Sequence, residues 1–169
     1  MKTAITVLFV SLLSTNFQAQ KETSEVNRPY EDFSLAYSAL DAEILTTTYI
    51  HNAVLLNLYD NRQPNSIIGA EDIKQYFADF FKRLKENNQS LTLTFKIIDR
   101  TIKDSVVYDN GYYKLVSSGP DIPERISHGK LSTVLIRDDG RWKFKVDSNS
   151  NTDQKEYVSA KAGSMPQPK

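Results

Sequence analysis

Cysteine is missing from all 169 residues. That excludes disulfide staples, thiolate metal ligands and a cysteine nucleophile, and it leaves an exported form no residue for a lipid anchor at its cleavage point. A surplus charge of either sign is missing too, since Lys plus Arg and Asp plus Glu number 21 each. No basic excess is available to hold a phosphate backbone, so nucleic acid is not an expected partner. Histidine is scarce, with two in the chain, and six scattered glycines form no G-x-G phosphate loop. Without a His-x-His or Asp-x-Asp run there is no readable ligand cluster, and neither a metal nor a cofactor is expected.

A long apolar run is also lacking. Ala4 to Leu13 are mostly apolar, but a bilayer-spanning helix takes about 20 such residues. Lys2 precedes this short run, and Ser14, Thr15, Asn16, Phe17, Gln18 and Ala19 follow it. That is the layout of a secretory signal peptide over residues 1–19, cut after Ala19 although Phe17 departs from the small-residue rule. The expected location is the periplasm or the surrounding medium, without a membrane anchor. Residues 20–28 read as a polar leader, 29–150 as one domain, and 151–169, with Pro166 and Pro168, as a flexible tail.

Within the domain, apolar residues make up an ordinary share and aromatics are plentiful, with nine Tyr and eight Phe. Pro29 is a good first-turn residue, and Tyr30, Phe33, Tyr37 and Leu40 recur at helical spacing. Asp41 reads as the N-cap of a short second helix, whose inner face holds Ile44, Leu45, Thr48 and Tyr49. Ala53 to Leu58 form a strand, and Asn61 to Asn65 a loop. Gly69 leads a third helix with Ile73, Tyr76, Phe77, Phe80, Phe81 and Leu84 on one face. Glu71, Asp72, Lys74, Lys82 and Arg83 solvate the other, and Glu71 and Asp72 in the first turn with Lys82, Arg83 and Lys85 in the last suit the helix dipole.

From Ser90 the period changes to two. Leu91, Leu93, Phe95 and Ile97 alternate with polar residues, the pattern of a half-buried strand. A further strand runs from about Ser105 to Ser118, interrupted at Asp109-Asn110-Gly111 by a bulge or a hairpin turn, the bulge being favoured because Val106 to Tyr108 alone would be very short. A loop with Pro120 and Pro123 leads to His128. Asp139-Gly140 is a two-residue hairpin turn. Counting back from it pairs Asp138 with Arg141, Leu135 with Phe144, Thr133 with Val146 and Leu131 with Ser148. Trp142, Phe144, Val146 and Ser148 then face inward, and Lys143, Lys145 and Asp147 outward.

Three stretches together carry a resemblance. Leu40-Asp41-Ala42-Glu43-Ile44-Leu45 leading to Tyr49-Ile50-His51-Asn52-Ala53-Val54, the Gly69-Ala70-Glu71-Asp72-Ile73 helix start with Tyr76-Phe77, and Asp139-Gly140-Arg141-Trp142-Lys143-Phe144 resemble, in order and spacing, the NTF2-like (SnoaL-like) superfamily over about Pro29 to Ser150. The resemblance implies an α+β cone, a curved antiparallel sheet wrapped around three N-terminal helices. It also implies a cavity open at one end and, frequently, a dimer through the outer sheet face. Val134 and Ile136 supply apolar contact there. Enzymes of this fold place ionisable groups in the cavity, and fold alone does not decide activity.

The candidate ligand-binding side chains are Tyr49, Tyr76, Tyr113, Trp142 and Ser148, around a small apolar molecule. A buried tyrosine hydroxyl wants a partner, which a ligand or water can supply. Catalysis needs a titratable group in hydrogen-bond reach of the substrate. His51 stands at a turn, and His128 shares the lysine-bearing face of its strand. A branch of the superfamily often has a histidine four residues after the hairpin tryptophan, where this chain has Val146. No His–Asp pair is visible to activate a serine. The reading that follows is a binding or accessory domain without catalysis. A lyase, isomerase or hydrolase is the alternative, should Asp60, Asp99, Asp109, His51 or His128 enter the cavity.

Overall fold

The computed structural model describes residues 24–161. The signal peptide expected over 1–19 lies outside them. Helix α1 runs over 24–39, so it starts five residues before Pro29, inside what was expected to be a polar leader. The reason is burial. Val26 extends the Tyr30–Phe33 stripe by one turn and is fully buried, and Asn27 accepts a 2.7 Å bond from Arg100 on the sheet. Those contacts outweigh the backbone bond that Pro29 cannot donate. Leu40 closes the helix at φ 51°, and Asp41 caps α2 (Ala42–Thr46) through bonds of 2.8 and 3.1 Å from the Glu43 and Ile44 amides.

Strand β1 spans Tyr49–Asn57 and β2 Asn65–Ile68, the latter starting on the last residue of the loop expected over Asn61 to Asn65. Helix α3 spans Ala70–Glu86, with Ile73, Phe77, Phe81 and Leu84 buried. Then come β3 (Ser90–Lys103), β4 (Val106–Gly119), β5 (Ile122–Asp138), β6 (Arg141–Thr152) and a short α4 (Gln154–Ser159). The six strands form one curved, unclosed sheet in the order β2-β1-β6-β5-β4-β3. All neighbours are antiparallel except β1 and β6, which are parallel. Helices α1 to α3 fill the concave side. Phe33 sits at the hub, its ring centroid 5.3–6.1 Å from those of Tyr37, Tyr49, Phe77, Phe95 and Phe144.

Three details depart from the strand pattern expected. Strand β4 passes through Asp109-Asn110-Gly111 without interruption, and the extra residue, Ile98, lies opposite on β3. Gly111 is needed there because a side chain would meet the Lys96 carbonyl oxygen at 2.3 Å. The Pro120–Pro123 segment is a tight turn, and Pro123 already belongs to β5, beyond the reach of β6, which pairs only from His128 onward. The tail also begins later than expected. Residues 151–152 belong to β6, and α4 folds back on the outer sheet face. Its Glu156 accepts bonds from Lys130 (2.8 Å), Thr152 (2.6 Å) and Tyr112 (2.9 Å), and its Tyr157 ring lies 4.5 Å from His128. Lys130 first, then Thr152 and Tyr112, hold the Glu156 carboxyl down at about 2.

The most consequential departure is in β6. Asp138 faces Arg141 and Leu135 faces Phe144 as counted from the turn, where Asp139 (φ 50°) and Gly140 (φ 76°) adopt the left-handed pair that such a hairpin requires. Between Leu135 and Val134 the register then shifts by one, because Lys145 is an unpaired extra residue. Beyond this bulge Val146 pairs with Val134, Asp147 with Thr133, Ser148 with Ser132 and Asn149 with Leu131. Side chains alternate along a strand, so one inserted residue exchanges the faces of everything after it. Val146 and Ser148 therefore leave the concave side, and Asp147 and Asn149 enter it.

Candidate functional site

The concave side encloses a cavity of about 310 Å³. Its apolar wall comes from Phe33 and Tyr37 on α1, Phe77 and Phe80 on α3, and Leu93, Phe95, Leu115 and Leu131 on the sheet. Its polar groups are Asn57, Tyr59, Arg62, Tyr76, Arg83, Tyr113, Asp147 and Asn149.

Asp147 is the buried ionisable group of this cavity. Leu55 of β1 and Thr133 of β5 flank it in the sheet. Tyr49 donates a 2.5 Å hydrogen bond to its Oδ2, and among the described residues no cation pairs with it. Removing a carboxylate from water without a counter-charge disfavours ionisation. Burial accordingly pushes the Asp147 carboxyl up to about 6, with the Tyr49 bond acting in the opposite direction. The same burial, then the neighbouring Asp147 charge, pushes the Tyr49 hydroxyl well above its ordinary range.

Two further tyrosines line the cavity. Burial raises the hydroxyls of Tyr59, in the loop after β1, and Tyr113 of β4 above their ordinary range. They stay protonated at neutral pH, hence able to donate. Gly129 sets where the Tyr113 ring lies. The two residues are paired across β4 and β5, and a Cβ at Gly129 would sit 2.1 Å from the ring. Asn149 contributes a buried Oδ1 with no hydrogen-bond partner among the described residues.

The five residues singled out from sequence separate into three groups. Tyr113 and Tyr76 line the cavity, Tyr76 at its more open part with 36% of its surface exposed. Tyr49 lies behind the wall and acts through Asp147. Trp142 and Ser148 lie elsewhere. Trp142 borders a second hollow beside the start of α1 and the β5–β6 turn, with Arg137 4.9 Å over its ring. Ser148 lines a groove on the outer face, placed there by the bulge at Lys145. His51 is exposed on β1, and His128 stacks on Tyr157 outside the cone. Asp99 is exposed, and Asp60 bonds Asn151 in the loop after β1. Asp109 is fully buried but is held by Arg100 and Tyr30 in a structural network. Asn57, Tyr59, Arg62 and Asn149 carry no cavity signal in the sequence, Asp147 is expected outward and Arg83 on the solvated face of α3, yet all six line the cavity. Tyr76, Phe80 and Arg83 are spaced by four and three residues, which puts them on one helical face, and that spacing was a usable signal.

No protein-family model matches the chain, and no curated protein matches it significantly. Solved structures do. A candidate scytalone dehydratase from Novosphingobium aromaticivorans aligns at TM-score 0.67 and 14% identity, over 82% of this chain and 89% of its own. A candidate dehydratase of the NTF2-like family from Streptomyces avermitilis aligns at 0.64 and 12%, over 80% and 99%. The chain has the NTF2-like fold. A ketosteroid isomerase-like protein from Erwinia carotovora atroseptica also aligns in structure, at 0.59 and 9%, over 77% and 95%. At these identities the likeness concerns architecture, and the chemistry of this NTF2-like cavity has to be argued from its own side chains.

Proposed function

We propose that the chain is a proton-transfer enzyme of the isomerase or lyase kind, acting on a small, largely apolar carbonyl compound held in the cone. The observation that carries this reading is Asp147, a buried carboxyl in an aromatic cavity, held by one tyrosine and pushed up to about 6. A general base works best when its pKa lies near the operating pH. In the proposed step the ionised Asp147 takes a proton from the carbon beside the carbonyl. The C–H pair moves into the carbonyl group, and the resulting enolate oxygen accepts a hydrogen bond from Tyr59 or Tyr113. Protonated Asp147 then returns the proton at another carbon, or to a leaving group expelled from the neighbouring position.

From sequence alone the expectation is a pocket that binds without catalysing, because none of the inward positions counted from the hairpin titrates near neutral pH. Asp147 removes that premise. The fold relatives described as dehydratase or isomerase-like support the same direction without deciding it.

The test is deuterium uptake beside the carbonyl of small aryl ketones in heavy water, followed by mass spectrometry. Wild-type protein should accelerate uptake, and Asp147→Asn should lose about 10²–10⁴-fold of that acceleration. Equal uptake by the two proteins would sink the reading.

A further inference from the structure

The rim of the cavity carries two guanidinium groups that this proton transfer does not use. Arg62, in the loop after β1, and Arg83, on α3, both line the cavity and both have exposed side chains. They come from separate elements. Among the described residues neither forms an ion pair, whereas other basic side chains such as Arg28, Lys74, Arg100, Lys130, Arg137 and Lys143 do. Arg62 is also held in place, because its guanidinium stacks 4.2 Å over the ring of Tyr59. Stacking engages the flat face and leaves the in-plane N–H groups free to fork onto a planar anion. Beneath them the wall is aromatic and aliphatic, and the buried end holds Asp147.

We propose that Arg62 and Arg83 are a carboxylate clamp, and that the substrate is a small aromatic keto acid. Its anionic end meets the two arginines while its ring and carbonyl enter the cone. This rests on the cavity being the reaction site, and it assigns the substrate class which that reading leaves open. An acid oriented this way enters ring first, with its carbonyl and the neighbouring carbon following toward the buried end. The clamp thus sets orientation and selectivity, whereas Asp147 performs the proton transfer. A neutral compound of the same shape would fill the apolar wall but lose both charge-assisted bonds.

The experiment compares 4-oxo-4-phenylbutanoate with its uncharged amide, 4-oxo-4-phenylbutanamide, by isothermal titration calorimetry at low salt. Wild-type protein should bind the carboxylate about tenfold more tightly than the amide, the difference expected of a charge-assisted contact at an exposed rim. Arg62→Gln and Arg83→Gln should each reduce that ratio, and the double variant should bring it to about one, with amide affinity held within about twofold. Lys82→Gln, on α3 beside Arg83 but outside the cavity, should leave the ratio unchanged, which separates a clamp from a general positive field. Asp147→Asn should keep the carboxylate preference. A wild-type ratio near one, a ratio insensitive to both arginines, or no binding of either compound overturns the clamp. Deuterium uptake by the same two compounds tells the two proposals apart. A preserved preference with no Asp147-dependent uptake leaves the clamp and removes the catalytic reading, and Asp147-dependent uptake without preference does the reverse.

Discussion

Two carboxylates are buried on the concave side of this sheet, and their surroundings differ as much as two buried charges can. Asp109 is gripped in a fork by Arg100, Nε to Oδ1 at 2.8 Å and Nη2 to Oδ2 at 2.7 Å, and it also accepts a 2.8 Å bond from Tyr30. Tyr30 in turn bonds Thr133 at 2.6 Å, and Arg100 reaches Asn27, so the group ties α1 to three strands. Asp147 has one hydroxyl and an open cavity. A buried charge with its partner and hydrogen bonds in place is a structural joint, and breaking it is severely destabilising. A buried carboxyl without a cation is a standing cost to the fold, tolerated where its chemistry is used. The contrast separates framework from site more sharply than burial does, since both groups are buried.

The largest effect that could break this comparison is on the framework side. Arg100→Ala should lower stability by about 3–5 kcal/mol, because Asp109 would stay buried without its cation. Urea unfolding measures this, and a loss under about 1 kcal/mol would show that Asp109 escapes to solvent in the variant.

On the other side the sign should reverse. The folded-state pKa of Asp147 is raised, to about 6 against about 3.9 for an unfolded aspartate. The folded form therefore binds the proton more tightly. The stability Asp147 contributes is complete below about pH 4 and is lost as pH rises through about 6, up to about 3 kcal/mol across that window. Asp147→Asn should consequently match the wild type near pH 4 and exceed it by about 1–3 kcal/mol at pH 8, while losing the proton-transfer activity. Unfolding curves at the two pH values decide it, and a variant less stable than the wild type at pH 8 would make Asp147 a second structural joint.

The smallest expected effect concerns the tuning. Tyr49→Phe removes the bond that favours the ionised form, so the Asp147 midpoint should move upward, and about 0.5–1.5 kcal/mol of stability should be lost with the hydrogen bond. The pH profile of deuterium uptake reads this shift directly. An unmoved midpoint would mean that Tyr49 only packs.

Much of the framework was legible before the structure because it depends on local rules. The stripe Tyr30–Phe33–Tyr37, the Asp41 cap and the wide apolar face of α3 each follow from spacing along one element, and so does the alternation from Leu91 to Ile97. Val26 could not be foreseen because it stands alone among polar residues before Pro29, and only its place in the assembled core buries it. Strand β2 could not be foreseen either, because Asn65-Ser66 carry no strand signal, and its partner β1 is what orders it. Helix α4 was as hard to foresee, a polar helix whose seat is made by Lys130, Thr152 and Tyr112 on other elements.

The sequence by itself determined the order of the main elements, α1, α2, β1, α3 and then β3 to β6, the Asp139-Gly140 turn and the inward set Leu131, Thr133 and Leu135 on β5, because propensity, capping and period two act over a few residues. Tertiary structure alone decided which β6 side chains enter the cone. Strict alternation after Phe144 is the locally natural continuation, putting valine in and aspartate out. The insertion of Lys145 overrides it where β6 must pair with β5 on one side and β1 on the other within a curved sheet, and bulges are how such sheets bend. A bulge leaves almost no mark on the residues that form it, yet it turns every following side chain over. In this chain it placed Asp147 inside the cavity and Ser148 outside.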